Sequence, residues 1–418
     1  MARLEKKEPL CERLSVQYQL RVHPAISEVD ATAWNHLTGT DDPFVEHAFL
    51  HALEASGSAT GVTGWAPCHL TAWHGEALVG AVPAYLKSHS YGEYIFDWGW
   101  ANAARRSGIE YYPKIVAAVP FTPAGVSRLL VAPDAGDEAA AIRQTLAQGL
   151  RALAGRLEAS SVHVLFCSEL DRAALVDAGF LGRSTFQFHF ENRHPETDLP
   201  YRDFGDFEGA FRAPDRRKLR RERREARTVG LELVRRTGAE LTDVEWAALR
   251  RFYEATTEEK GAIPYLTEDF FRRLRTDFGH RVQATLALDG GKPVAGALAF
   301  TKGRHLYGRY WGAEGRVEML HFEVCYYMSI EWVIDGEMTR FEAGAQGEHK
   351  LKRGLLPAET RSAHFIADPR LRAAIARAVA QESAQTAQLM TEYTAAGPFR
   401  RKAGAASTVE PRDDETDP

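Results

Sequence analysis

The sequence predicts an α/β protein with mixed sheets, built from two tandem copies of one module. Three observations carry this. Segments of period-two hydrophobicity alternate with helical segments along the chain. The length, 418 residues, exceeds what one hydrophobic core usually supports. A stretch of the first half also matches a stretch of the second without a gap, GAVPAYLKSHSYGEY at 80–94 over GALAFTKGRHLYGRY at 296–310. There Gly80/Gly296, Ala81/Ala297, His89/His305, Tyr91/Tyr307, Gly92/Gly308 and Tyr94/Tyr310 coincide, and each copy follows a short hairpin. Self-similarity of this kind marks a duplicated unit.

In the first half, Val16–Val22 alternates apolar and polar residues and predicts a strand. Helical patterns follow at Asp30–Leu37 and Pro43–Gly57. Cys68–Trp73 and Ala77–Lys87 read as two strands joined at His74-Gly75-Glu76. Residues 137–157 predict a long helix, with Leu146, Leu150, Leu153 and Leu157 on one stripe. Val162–Cys167 is an apolar strand, Ala173–Gly179 a helix and Phe186–Glu191 a strand.

Residues 192–206 turn polar, carry two prolines and read as a linker. A basic helix follows over 214–229, with Pro214 in its first turn and Gly230 as the residue that ends it. Leu231–Arg235 is a strand, and Asp243–Thr256 and Thr267–Phe278 are helices. Val282–Asp289 and Val294–Lys302 form a hairpin around Asp289-Gly290-Gly291. His305–Trp311 is a strand, Phe322–Ile334 a helix, Arg340–Ala343 a strand, and Leu371–Thr394 a closing helix. The domains expected are therefore 15–190 and 191–395, with an extension at 1–14 and a disordered tail at 396–418.

Composition narrows the function classes. The apolar fraction is 44% and no run approaches a membrane-spanning length. The first residues, MARLEKKEP, are too charged for a secretory signal. Cys11, Cys68, Cys167 and Cys325 stand far apart without ligand spacing, which argues against a disulfide scaffold or a metal site and for a cytoplasmic, reduced protein. His47 and His51 have helical spacing but no third ligand nearby. Net charge is −5, yet Arg216–Arg227 carries eight basic and two acidic residues. Such a block suits a local anionic partner or a packing role.

The order of elements in the second half resembles the acyltransferase fold of the GNAT superfamily. In that fold two central strands splay and expose backbone N–H groups to a carbonyl as it gains charge. The segment SHSYGEYIFDWGWANAARRSGIEYYPKIVAAVPFTPAGVSRLLV, with YLTEDFF, LYGRYWG, LHFEVCYY and FEAGAQGEHKLKRG, resembles the FemAB-like predicted N-acyltransferase family of bacteria. That family is related to Fem-type peptidoglycan aminoacyl transferases, themselves tandem GNAT domains. The resemblance implies transfer of an acyl or aminoacyl group to an amine, with acyl-CoA or aminoacyl-tRNA as donor. It also implies a splayed pair at His305–Trp311 and Arg340–Ala343. RYWGAEG at Arg309–Gly315 departs from the usual phosphate loop, because Glu314 occupies a small-residue position. The basic helix, through Arg216, Arg217, Arg220 and Arg221, is the candidate anion site, with tRNA as a candidate partner.

Amine acylation needs a proton acceptor and an oxyanion partner. Glu342 is the first candidate base, at the end of a strand that should face the splay. Lys350, His321 and Tyr310 are the other catalytic candidates. Arg309, Tyr307, Trp311, Glu323, Gln346, His349 and Lys352 are candidates for binding substrate, as are His89, Tyr91 and Tyr94 in the first copy. The competing readings are structural: Glu342 paired with Arg309, the tyrosines in a core, the basic helix as a solvated face. The alternative function is a degenerate, non-catalytic module that binds RNA or another anionic ligand.

Overall fold

The structure is a computed structural model that describes residues 18–400 apart from 260, 262, 316 and 346. The expected extension at 1–14 and most of the expected tail lie outside these residues, as does Gln346. In chain order the strands are β1 (Gln19–His23), β2 (Trp65–Pro67), β3 (His69–His74), β4 (Ala77–Val82), β5 (Ala84–Lys87), β6 (Lys114–Ala117), β7 (Leu130–Val131) and β8 (Ser161–Leu165). They continue with β9 (Leu181–Glu191), β10 (Glu232–Thr237), β11 (Val282–Asp289), β12 (Lys292–Lys302), β13 (His305–Ala313), β14 (Arg340–Glu342) and β15 (Leu356–Ile366).

Two sheets result. One has the order β1-β3-β4-β7, and the other runs β10-β11-β12-β13-β14-β9-β15-β8-β6-β5-β2. The short sheet repeats the order of β10 to β13, so the halves do share a plan. The sheet does not divide at 190/191, however. β9, from the first half, lies between β14 and β15, and β15, from the second, lies between β9 and β8. The β9–β15 ladder runs from Leu356↔His189 to His364↔Leu181. Each half thus completes its sheet with a strand of the other.

The sequence match at 80–94 and 296–310 holds only as far as Val82. Pro83 has no N–H to give a ladder, and there the expected strand Ala77–Lys87 breaks in two. β4 stays in the short sheet while β5 joins the long one. The neighbour of β4 that corresponds to β13 is β7, with Gly80 opposite Val131. His89, Tyr91 and Tyr94 therefore lie in an irregular segment and are not counterparts of His305, Tyr307 and Tyr310. Elements absent from the sequence reading, among them β2, β6, β7, β15 and the helix Trp98–Arg106, belong to these long-range arrangements.

The largest core also crosses the halves. Phe44 packs edge-on against Phe300 at 5.3 Å and Tyr307 at 5.2 Å, and Phe49 meets Phe278 at 5.3 Å. Lys302 is buried and donates to Thr38 Oγ1 (3.0 Å), while Tyr307 donates to the Asp41 carbonyl (2.7 Å). The polar segment at 192–206 is no free linker, because His194 and Tyr201 are buried and Asn192 donates to Met338 O. The last helix runs Pro369–Ala396, and Phe399 packs on Phe211, so the start of the expected tail is ordered.

Shared strands and a shared core predict one cooperative unfolding transition. Phe44→Ala should lower stability by about 3–5 kcal/mol through the lost burial and the cavity left behind. Denaturant titration followed by circular dichroism checks this, and separate transitions for the halves would contradict it.

Candidate active site

β13 and β14 run parallel for three residue pairs, His305↔Arg340 to Tyr307↔Glu342, and then part. β14 ends at Glu342, and Gly344, at φ +77°, turns the chain aside. β13 continues to Ala313 beside β12. Its register slips there, since Leu298 faces Tyr310 and Ala299 faces Gly308, which leaves Arg309 as the bulged residue. From Gly308 onward the β14-facing edge of β13 has no ladder partner. Bulges re-aim side chains beside functional sites. Here the bulge and the parting open a cleft of about 660 Å³ through the sheet.

One face of the cleft carries Trp311, His321, Tyr326, His349 and Lys350; the other carries Tyr94, Tyr253, Tyr265, Arg309 and Tyr310. His321 packs on Trp311 at 5.1 Å, and His349 Nε2 lies 3.0 Å from the Tyr326 hydroxyl. Tyr310 meets Tyr253 edge-on at 5.1 Å, and burial pushes its phenol well above the usual range. Lys350 is buried in the turn Glu348–Arg353, and its Nζ donates to Gly344 O at 2.9 Å. With no carboxylate beside it, burial lowers its ammonium pKa to about 8.

The helix over residues 320–335 carries a π-turn at Glu323–Tyr327, an irregularity that is frequent at functional sites. Glu323 holds that turn in place and does not line the cleft. It is fully buried and paired with Arg223 at 3.0 Å and Arg227 at 2.7 Å. The basic helix, Ala213–Arg227, is thus partly a packing device. Its Glu222 is buried against Arg353 (2.8 Å) and Tyr327 (2.6 Å). Arg220 pairs with Glu208 and Arg221 with Glu225, while half-buried Arg216 and exposed Arg217 have no carboxylate partner.

Glu342 is also displaced from its expected place. The lining passes from Phe341 to Ala343 and leaves Glu342 behind the wall, beside Tyr307 and His189 in register. It is buried, its Oε1 has no hydrogen-bond partner, and Arg340 stands 3.9 Å away. Burial, reinforced by Asp42, pushes its pKa up to about 8. The expected Glu342–Arg309 pair is absent, since Arg309 donates to Phe121 O instead.

Tyr307 belongs to the core, and Lys352 reaches the Ala396 carbonyl at the surface. Of the first-half trio only Tyr94 reaches the cleft, because His89 binds the Thr63 carbonyl and Tyr91 is exposed. Tyr253, Tyr265 and Tyr326 line the cleft and were not singled out. The last two lie in the YLTEDFF and LHFEVCYY motifs, whereas Tyr253 sits in a helix with no local signal. No His/Cys/Asp/Glu group suited to a metal ion occurs among the described residues. Nor is any helix there long and apolar enough to cross a membrane.

Residues 25–401 match the FemAB-like family, described as peptidoglycan biosynthesis/recognition. No curated protein matches the chain. The solved structure of FemX superposes with a TM-score of 0.51 at 11% identity, covering 85% of this chain and 99% of FemX. A tandem GNAT protein from the clavulanic acid biosynthesis pathway gives 0.42 at 14%, covering 84% and 99%. L-PGS from Bacillus licheniformis gives 0.46 at 11%, covering 82% and 98%. With its strands parted as a GNAT fold requires and the family match spanning most of its length, the chain belongs to the FemAB-like family.

Proposed function

We propose that the protein transfers an acyl or aminoacyl group from an activated donor, acyl-CoA or aminoacyl-tRNA, to the amine of a cell-envelope precursor. The observation that carries this reading is the unpaired edge of β13 where the sheet opens, with Lys350 across the gap. N–H groups on that edge can receive the carbonyl oxygen as the amine attacks it. Lys350, with its pKa lowered to about 8, takes the proton that the amine must lose. Tyr310, kept protonated by burial, returns a proton to the leaving group. The turn after β13 carries Glu314, paired with Lys292 and Arg251, which argues against a CoA pyrophosphate at that place.

Lys350→Met should reduce kcat by about 100-fold or more with a smaller change in KM. Lys350→Arg should not rescue it, because guanidinium stays charged. Wild-type kcat should rise with pH through about 8, as the neutral amine of Lys350 accumulates. Charged tRNAs and acyl-CoAs tested against amine acceptors provide the assay. Binding without turnover in both proteins would favour the non-catalytic module.

Glu342 gives a second, independent check. Its pKa rises from 4.5 to about 8 on folding, so the folded state keeps a proton that the unfolded state releases. Its burial therefore costs stability increasingly as pH climbs through that window. Glu342→Gln should melt higher than wild type by a margin that widens between about pH 5 and 8 and is constant above. A margin independent of pH, measured by calorimetry, would contradict the buried acid.

A further inference from the structure

The cleft has an unbalanced charge. Arg309 and Lys350 line it together with two histidines, and no Asp or Glu does so among the described residues. Yet acidic residues outnumber basic ones in the chain, 57 to 52. Of the lining residues on the Tyr94, Tyr253 and Tyr265 side, only Arg309 is charged.

Elsewhere several buried or partly buried arginines have carboxylate partners. Arg128 holds Asp42 at 3.1 Å, Arg281 holds Glu46 at 2.7 Å, Arg340 holds Glu191 at 2.6 Å and Arg353 holds Glu222 at 2.8 Å. Arg309 has none. One amino group donates to the Phe121 carbonyl at 2.5 Å, and its Nε is buried without a partner. The guanidinium stands 5.5 Å from the Phe44 ring centroid and 5.7 Å from that of Tyr310. Glu342 lies beyond ion-pair contact. A guanidinium partly withdrawn from water without a counter-ion carries a cost, and a ligand that brings one recovers part of it.

Resting on the acyl-transfer reading, we propose that Arg309 selects the acceptor: the amine substrate also bears a carboxylate, which docks on the Arg309 fork from the tyrosine-lined side. A planar fork suits a carboxylate's two oxygens. A phosphate monoester would call for more than this one cation. The inference also gives the bulge a purpose, since the extra residue in β13 is the one that aims Arg309 into the cleft.

Matched pairs of amines test this on the full-length protein: alanine and alaninamide, lysine and lysinamide, alanyl-alanine and its amide, with ethanolamine and O-phosphoethanolamine as a phosphate arm. Binding is read by thermal shift and tryptophan fluorescence, so no turnover is needed. Wild type should favour the carboxylate member of at least one pair by about tenfold or more. Arg309→Met should erase that preference, and Arg309→Lys should restore part of it. Equal response to both members of every pair, no response to any, an unchanged preference in Arg309→Met, or a preference for the phosphate arm alone would each overturn the assignment. Carboxylate preference without turnover would sink the catalytic reading while leaving this one standing. Turnover without the preference would do the reverse.

Discussion

The parting of β13 from β14 is the constraint on which the rest of the molecule turns. A β-strand edge inside a protein carries backbone groups that must find partners. Here three residue pairs satisfy the ladder, and then the partner strand ends. An edge left open in this way is tolerable only where a ligand or water completes it. The surrounding elements read as devices to keep the gap open. Gly344 turns the chain away at a positive φ, and Gly308 has no side chain where a Cβ would lie 3.0 Å from the Phe341 ring.

Holding such a gap requires a rigid frame, and the reciprocal strands supply it. β14 is only three residues long and would be marginal alone. It is anchored on its other side by β9, an eleven-residue strand from the first half. β15 in turn fills the place between β9 and β8. The opening in the second half is therefore framed by the first, and the shared aromatic core around Phe44 locks the two together.

Charge is handled differently on the two sides of the helix over residues 320–335. Behind it, buried Glu323 and Glu222 are met by arginines, so part of the basic helix's charge, that of Arg223 and Arg227, is spent against the fold. In front, Arg309 and Lys350 face the cleft without carboxylate partners. Buried ions of one sign are stable only when paired, hydrogen-bonded or neutralised by a shifted pKa. The frame uses the first route. The cleft uses the other two: Lys350 with carbonyls and a lowered pKa, Arg309 with the Phe121 carbonyl.

Local order was legible in the chain. The hairpin at Asp289-Gly290-Gly291, the leucine stripe of Leu146, Leu150 and Leu153 and the basic helix all follow from period and turn chemistry, which neighbouring residues set among themselves. The cleft residues Lys350, His349, His321, Trp311 and Tyr310 were legible too, because they sit in compact motifs on one stretch. What the tertiary structure decided depends on pairing between residues far apart. Pro83 sends β5 to another sheet, although the letters on either side mimic the second half. Glu342 lies outside the cleft lining, on the side of Tyr307, because pairing with Tyr307 and His189 fixes which way its side chain points. Glu323 found arginines about a hundred residues away. A sequence specifies such register only through the whole set of competing pairings, which no single segment contains.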